Sequence, residues 1–319
     1  MRIALDIFRA LADATRLRVL ALVQTMELSV GELAQVLGQS QPRVSRHVKI
    51  LCDAGLAERR KEGSWVFVAL GDPELVDPVL AALDAWRARE GDHWAIADAA
   101  RLAAVRADRA AAANAWFEAH ADQWDAIRSL HIAECEVEAA MAALLGDAPI
   151  GQLIDIGTGT GRMLEVFAPR ARHALGIDRS SEMLRLARAK LAERGLANAE
   201  LRQADLYALP MADAAADAAI LHHVLHFAQQ PGAAIAEAAR VLAPGGRLLI
   251  ADFAPHEREE LRAREGHTRL GFSDEQVQGW FDAAGLMPAR TETLAGGELA
   301  VKLWLGRKAG HPLHEAIAA

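Results

Sequence analysis

The sequence predicts two domains of different class: a small helical unit closed by a β-hairpin, then an α/β unit on a mostly parallel sheet. Two short helical patterns meet at a glycine turn and are followed by a β-rich hairpin pattern ending near residue 70. From about residue 114 onward, short apolar strands alternate with amphipathic helices. At 319 residues the chain is long enough for two cores. The boundaries read as residues 1–85, a helical connector over 86–113 rich in Ala and Arg, and 114–319.

Composition narrows the function classes. Apolar content of 52% and charged content of 24% are those of a soluble globular protein. Two cysteines, Cys52 and Cys135, exclude a disulfide framework and suit a reducing compartment. Charges interrupt Met1–Arg9 and every long apolar run, so neither a signal peptide nor a membrane span is predicted, and the expected location is the cytoplasm. The net charge of −8 does not exclude nucleic acid, because charge acts locally through screening. Between Gln39 and Lys61 six basic residues face only Asp53 and Glu58.

In the first unit, Ser29 and Glu32 form a capping-box pattern opening a helix over Val30–Leu37, which Gly38 closes. Ser40 then caps a second helix with Pro42 in its first turn, and Gly55 ends it. Val44, Val48 and Leu51 follow core spacing. Ser40, Gln41, Arg43, Ser45, Arg46, His47 and Lys49 are left for the bases and phosphates of double-stranded DNA. The hairpin over Leu56–Leu70 adds Arg59, Arg60 and Lys61 as phosphate or minor-groove contacts.

Residues 5–72 resemble the ArsR family of bacterial repressors. The resemblance rests on Phe8–Leu20, on Ser45-Arg46-His47-Val48-Lys49-Ile50-Leu51 and on Asp53-Ala54-Gly55-Leu56. It implies a homodimer reading a palindromic operator. Many relatives hold soft metals with a cysteine pair before the turn, where this chain has Ser29 and Gly31, so that site is absent. His93 and its flanking acids do not match the spacing of the family's other metal site. Cys52 reads as a packing residue rather than a redox switch.

The strongest motif of the second unit is Leu153-Ile154-Asp155-Ile156-Gly157-Thr158-Gly159-Thr160-Gly161-Arg162: a strand, a glycine turn and a helix start. Its G-x-G-x-G spacing is not that of a dinucleotide fingerprint, and no Lys-Ser/Thr follows for a P-loop. An acid beside the loop, Asp155, suits a ligand carrying an ammonium group. A second strand ends in Asp178, followed by Arg179, where a ribose diol would lie. A third, Ala199–Gln203, runs into Ala204, Asp205 and Leu206, an acid for an adenine amino group. A fourth, Ala218–Leu221, ends in His222-His223-Val224-Leu225-His226.

Residues 114–307 resemble class I S-adenosylmethionine-dependent methyltransferases, most closely the quinone-methylating branch. Val241–Asp252 and the segment Ala115–Asp125 extend the likeness. It implies a Rossmann-like seven-stranded sheet ending in an antiparallel pair near Thr291 and Leu299–Leu305, and a helix at Ala115–Asp125 covering the cofactor. Carried over, the loop (Gly157, Thr158, Gly159, Gly161) holds the methionine part of S-adenosylmethionine or S-adenosylhomocysteine. Asp155 favours its ammonium, Asp178 the ribose and Asp205 the adenine.

A general base is needed only if a small-molecule acceptor must lose a proton. The candidates are His222, His223, His226, Asp252 and His256, with strand-capping or cleft-lining as the bland alternative. His222 and His226 have the i, i+4 spacing of helical metal ligands, but no partner spacing supports an ion, and no metal is expected. Arsenite methylation is disfavoured, since Cys135 is the second unit's one cysteine. The segment His256–Phe272, with Arg258, Arg262, Arg264, His267 and Arg269, either recognises an anionic acceptor over the cleft or is a solvated helix. Two functional readings follow: a regulator whose DNA affinity is tuned by cofactor, or an active methyltransferase with an accessory DNA-binding domain.

Overall fold

The computed structural model describes residues 2–62, 65–90, 94–105, 107, 133–295 and 298–310. His93 and the segment Ala115–Asp125 lie outside the described residues. The chain divides into two compact units, residues 1–111 and 112–319, taken separately below.

The first unit opens with α1 (Arg2–Leu11) and α2 (Ala14–Thr25); Asp13 caps α2 by accepting from the backbone N–H of Thr15 and Arg16. The capping box of Ser29 and Glu32 forms as predicted and opens α3 (Val30–Leu37), which Gly38 ends in the left-handed region. Ser40 occupies the cap position of α4 (Gln41–Asp53), but its hydroxyl makes no capping bond. Pro42 supplies no N–H in the first turn, and the Arg43 N–H bonds the Ser40 carbonyl instead. Strands β2 (Ala57–Glu62) and β3 (Trp65–Leu70) form the expected antiparallel hairpin, with the short β1 (Leu28–Ser29) paired to the other side of β3.

Val44, Val48 and Leu51 are fully buried beside Leu20, Leu33 and Leu56. After α5 (Pro73–Glu90), part of the stretch read as a connector forms a helix over 94–105. Its Leu102 and Val105, three positions apart, enter the same core, so this segment belongs to the first unit's packing.

Among the described residues, the second unit opens with helix α6 (Glu134–Leu145) and builds a seven-stranded sheet. The strands are β4 (Ile150–Ile156), β5 (Ala171–Asp178), β6 (Ala199–Gln203), β7 (Ala216–His222), β8 (Leu242–Phe253), β9 (Leu286–Leu294) and β10 (Val301–Lys308). Their order is β6-β5-β4-β7-β8-β10-β9, with β10 antiparallel to both neighbours and the other pairs parallel. The central strands are near-continuous apolar runs because both faces are covered. Ile154 and Ile156 of β4 lie in one core cluster and Leu153 in the other. Helices α7 (Arg162–Phe167) and α8 (Ser181–Glu193) join the first strands. Successive strands run outward from β4 through β5 to β6, then from β7 to β8 on the other side. The topological switch therefore falls between β4 and β7, where open α/β sheets bind ligands at the carboxyl ends of their strands.

Candidate functional site

In the first unit, Gln41, Arg43, Arg46 and Lys49 are exposed on α4, whereas Ser45 and His47 are half-buried. Lys49 pairs with Asp53 at 2.7 Å, and a His47 ring nitrogen lies 3.6 Å from the Asp13 carboxylate. The hairpin's two-residue alternation divides its basic run. Arg59 and Lys61 are exposed, while Arg60 is half-buried in an ion pair with Glu27. Arg59 donates to the Ser45 carbonyl at 2.6 Å, tying the hairpin to α4. Gln41, Ser45, Arg59 and Trp65 thus share one groove of about 680 Å³. Ser40 sits exposed at the helix start. Burial pushes the Cys52 thiol up, which suits packing rather than reactivity.

In the second unit, the glycine loop follows β4 at the switch point. The N–H groups of Gly157 and Thr158 both donate to the Ile177 carbonyl, at 2.9 and 2.8 Å, anchoring the loop to β5. Gly157, Gly159 and Gly161 all have positive φ, at +74°, +53° and +87°. A Cβ on Gly157 would stand 2.6 Å from the Val224 side chain, so the loop requires glycine in both conformation and space. Asp155 is buried beneath the loop and accepts from the Thr158 hydroxyl at 2.5 Å. At the end of β5, Asp178 accepts from the Gly159 N–H at 2.9 Å and from the Ser180 N–H at 2.8 Å. Burial pushes its carboxyl up, and those N–H bonds oppose the shift. Arg179 is exposed beside it. Beyond β6, Ala204 donates to the Asp178 carbonyl, and half-buried Asp205 accepts from the Tyr207 N–H at 3.0 Å. Leu206 packs against the core. The glycine loop and the two strand-end acids thus share one edge of the sheet.

The histidines stand across the switch point. The helical spacing read for His222 and His226 is not realised: β7 ends at His222, His223 turns into the left-handed region at φ +53°, and Leu225–Phe227 is a single 3₁₀ turn. The turn is held from β8, because the His223 N–H bonds the Ala251 carbonyl. Asp252 is fully buried, and its carboxylate accepts from the N–H groups of Leu225, His226 and Phe253. Its remaining contact is His226 Nδ1 at 2.7 Å. Burial pushes the Asp252 carboxyl up, against the attraction of His223 and these N–H groups.

The solvated-helix alternative for 256–272 does not hold. Only Glu260–Arg264 is helical there, and Glu265, His267 and Arg269 are buried. The Thr268 and Arg269 N–H groups both bond the His226 carbonyl at 2.9 Å, folding this segment onto the turn after β7. The His267 ring is 4.4 Å from that of His226. Burial, with His226 beside it, pushes His267 down to about 4. Half-buried His256 donates its N–H to the Leu270 carbonyl. Sequence spacing gives no role to Val224, which the fold sets against Gly157. It offers His267 only within the segment read as an acceptor contact or a solvated helix, whereas the fold sets its ring beside His226.

The chain matches the family model "Bacterial regulatory protein, arsR family" over residues 13–59 and "Methyltransferase domain" over residues 154–250. It is 40% identical over 90 residues to the arsenical resistance operon repressor of Escherichia coli, covering 27% of this chain and 74% of that protein. It is 41% identical over 75 residues to a probable mercury resistance operon repressor of Streptomyces lividans, covering 24% of this chain and 60% of the repressor. The second unit is 31% identical over 107 residues to the uncharacterized methyltransferase YcgJ of Bacillus subtilis, covering 33% of this chain and 42% of YcgJ. The chain thus spans less than two thirds of the length of the last two. The fold is shared with a putative methyltransferase solved with the Haloferax volcanii Trm112 activator (TM-score 0.54, 20% identity, 63% of this chain and all of that one). The chain belongs to the arsR family of bacterial regulatory proteins and joins that DNA-binding domain to a methyltransferase domain.

Proposed function

We propose that the chain is a cytoplasmic transcriptional regulator whose dimer binds operator DNA and whose second unit binds S-adenosylmethionine or S-adenosylhomocysteine, which changes DNA affinity. The observation that carries the cofactor reading is the Asp178 carboxylate bonded to the Gly159 N–H at the switch point. It brings a strand-end acid and a glycine turn to one crevice, as a ribose joined to a compact charged tail requires. Asp205 supplies a further acceptor on the same edge for an adenine amino group, and Gly157, Thr158, Gly159 and Gly161 leave backbone room for the methionine tail. Asp155 contributes negative charge beneath that tail, with Arg179, Ala204 and Leu206 flanking the nucleoside. Bound S-adenosylmethionine supplies a methyl group already activated on a sulfonium.

DNA recognition rests on Ser40, Gln41, Arg43, Ser45, Arg46, His47 and Lys49 of the α4 region, with Arg59 and Lys61 from the hairpin. Exposed Leu5 and Phe8 on α1, and Trp86 on α5, are apolar surface of the kind that a second copy covers. For the ligand to regulate, it must bind the DNA-competent and DNA-incompetent states with different affinity. The test is operator binding by the full chain at fixed salt, without ligand and with each cofactor form. A shift in affinity supports the regulator; demonstrated cofactor binding with no shift overturns it. The second reading is transfer of the methyl group to a small acceptor. It is favoured by the imidazoles gathered around Val224, whose side chain abuts Gly157. It is tested by product formation whose dependence on cofactor concentration shifts in Asp178→Asn as cofactor affinity falls.

A further inference from the structure

One cluster in the second unit has no part in cofactor binding as derived above. The turn after β7 and the end of β8 bring together the imidazoles of His223 and His226 and the carboxylate of Asp252, with one donor atom of each within 4.8 Å of the others. All three side chains are buried: the residues are 6%, 2% and 0% exposed. We propose that this cluster binds one divalent transition-metal ion of the zinc class.

The donor set selects the ion. Two imidazoles and one carboxylate suit zinc, cobalt, nickel or ferrous iron; calcium and magnesium prefer all-oxygen shells, and the softest ions prefer thiolates. The donors come preorganised. Three backbone N–H groups hold the Asp252 carboxylate, and the His226 carbonyl is held by Thr268 and Arg269. Outer bonds of this kind orient ligands in metal sites. An ion entering the cluster displaces the hydrogen between His226 Nδ1 and Asp252 Oδ1, which lie 2.7 Å apart. It also places positive charge beside a carboxylate removed from water, where an uncompensated charge is costly.

Three protein ligands leave a position of a tetrahedral ion open. The neighbouring rings are His222, at 4.6 Å from His223, and His267, at 4.4 Å from His226. The site also adjoins the ligand crevice. Val224, between the two histidine ligands in sequence, is the side chain that closes over Gly157. An ion on His223 and His226 therefore pins the wall against which the glycine loop packs.

The bland alternative is a hydrogen-bonded His226–Asp252 pair that anchors the turn and takes no ion. The experiment uses the full chain, tag removed and stripped with chelator, titrated with zinc against a chromophoric competitor and with cobalt by visible absorption. The expected result is one equivalent bound more tightly than about 1 μM and a four- or five-coordinate cobalt spectrum. His223→Asn is the first variant, because asparagine tolerates the left-handed backbone better than other non-glycine residues. His226→Gln is the second, and each should weaken zinc by at least about 100-fold. Thermal midpoints in chelator must stay near the parent's, so that loss of binding is not loss of fold. Should either variant fail that control, the other decides. Absence of zinc and cobalt binding by the parent overturns the site, as does tight binding that survives substitution in a folded variant. Because the readout is metal occupancy, it does not depend on whether the unit binds S-adenosylmethionine.

Discussion

Arg18 and Asp98 form a buried two-pronged ion pair across 80 positions of sequence, with Nε and Nη2 of the guanidinium at 2.7 and 2.6 Å from the two carboxylate oxygens. The Trp94 ring lies 4.6 Å from the guanidinium carbon, so one arginine ties the helix over 94–105 to α2 by both its edge and its face. Removing one partner strands the other charge out of water. Asp98→Ala is expected to cost the first unit about 3–5 kcal/mol, whereas Arg18→Met with Asp98→Leu stays within about 1–2 kcal/mol of the parent. Urea unfolding of the full chain, resolved into its transitions, measures both. A cost below about 1 kcal/mol for Asp98→Ala would show that water reaches Arg18.

A methyl group on the glycine loop tests the crevice. Gly157→Ala must hold an alanine at φ +74° and push its Cβ to 2.6 Å from Val224. Backbone strain of about 1–2 kcal/mol and overpacking of about 1–3 kcal/mol act on the same few atoms. S-adenosylhomocysteine affinity by calorimetry should fall between about tenfold and a thousandfold. Gly195→Ala, also at positive φ but with nothing within 4 Å of the added carbon, should leave affinity unchanged despite a similar local strain.

Local pattern made much of the molecule legible. Val44, Val48 and Leu51 follow helical core spacing and are fully buried; Ser29 and Glu32 have the capping-box pattern and form one. Strand ends at Asp178 and His222 follow from apolar runs and their breaks. What escaped reading depends on partners distant in sequence. Nothing near Arg18 announces Asp98, and nothing near His267 announces that its backbone neighbours will bond the His226 carbonyl. His222 and His226 have helical spacing, yet the His223 N–H finds Ala251 on the adjacent strand, and that bond accompanies an extended strand and a sharp turn. Arg59, Arg60 and Lys61 read as one basic run, but strand alternation turns the middle one onto Glu27.

That alternation makes a prediction for DNA binding. Lys61→Ala should weaken operator binding about equally across sequences and lower the salt slope by about one, the signature of a lost phosphate contact. Arg60→Ala should leave the slope unchanged, because Arg60 is engaged with Glu27. Arg46→Ala, on the exposed face of α4, should cost about 1–3 kcal/mol and relax preference at one base pair. Fluorescence anisotropy on operator and scrambled DNA at several salt concentrations separates the three. An unchanged slope for Lys61→Ala would remove the hairpin from the interface.

Asp178→Asn isolates the charge at the strand end. The carboxylate accepts from Gly159 and Ser180 through different oxygens; an asparagine keeps one acceptor and turns an amide donor toward the other N–H. Losing a charge-assisted bond, and the acceptor for a ribose hydroxyl, should lower S-adenosylhomocysteine affinity about tenfold to a hundredfold. The substitution also carries a pH signature of definite sign. Burial holds the folded carboxyl above its ordinary range, so the folded chain binds this proton more tightly than the unfolded chain. The proton's contribution to stability is full below the ordinary aspartate range and is lost as pH rises through the raised value. The stability difference, parent minus Asp178→Asn, should therefore fall across that window and level off above it. Equilibrium unfolding of both proteins over that pH range reads the difference. A flat difference would mean that water or the loop N–H groups neutralise the cost of burial, and affinity loss in the variant would then have to be assigned to hydrogen-bond geometry alone.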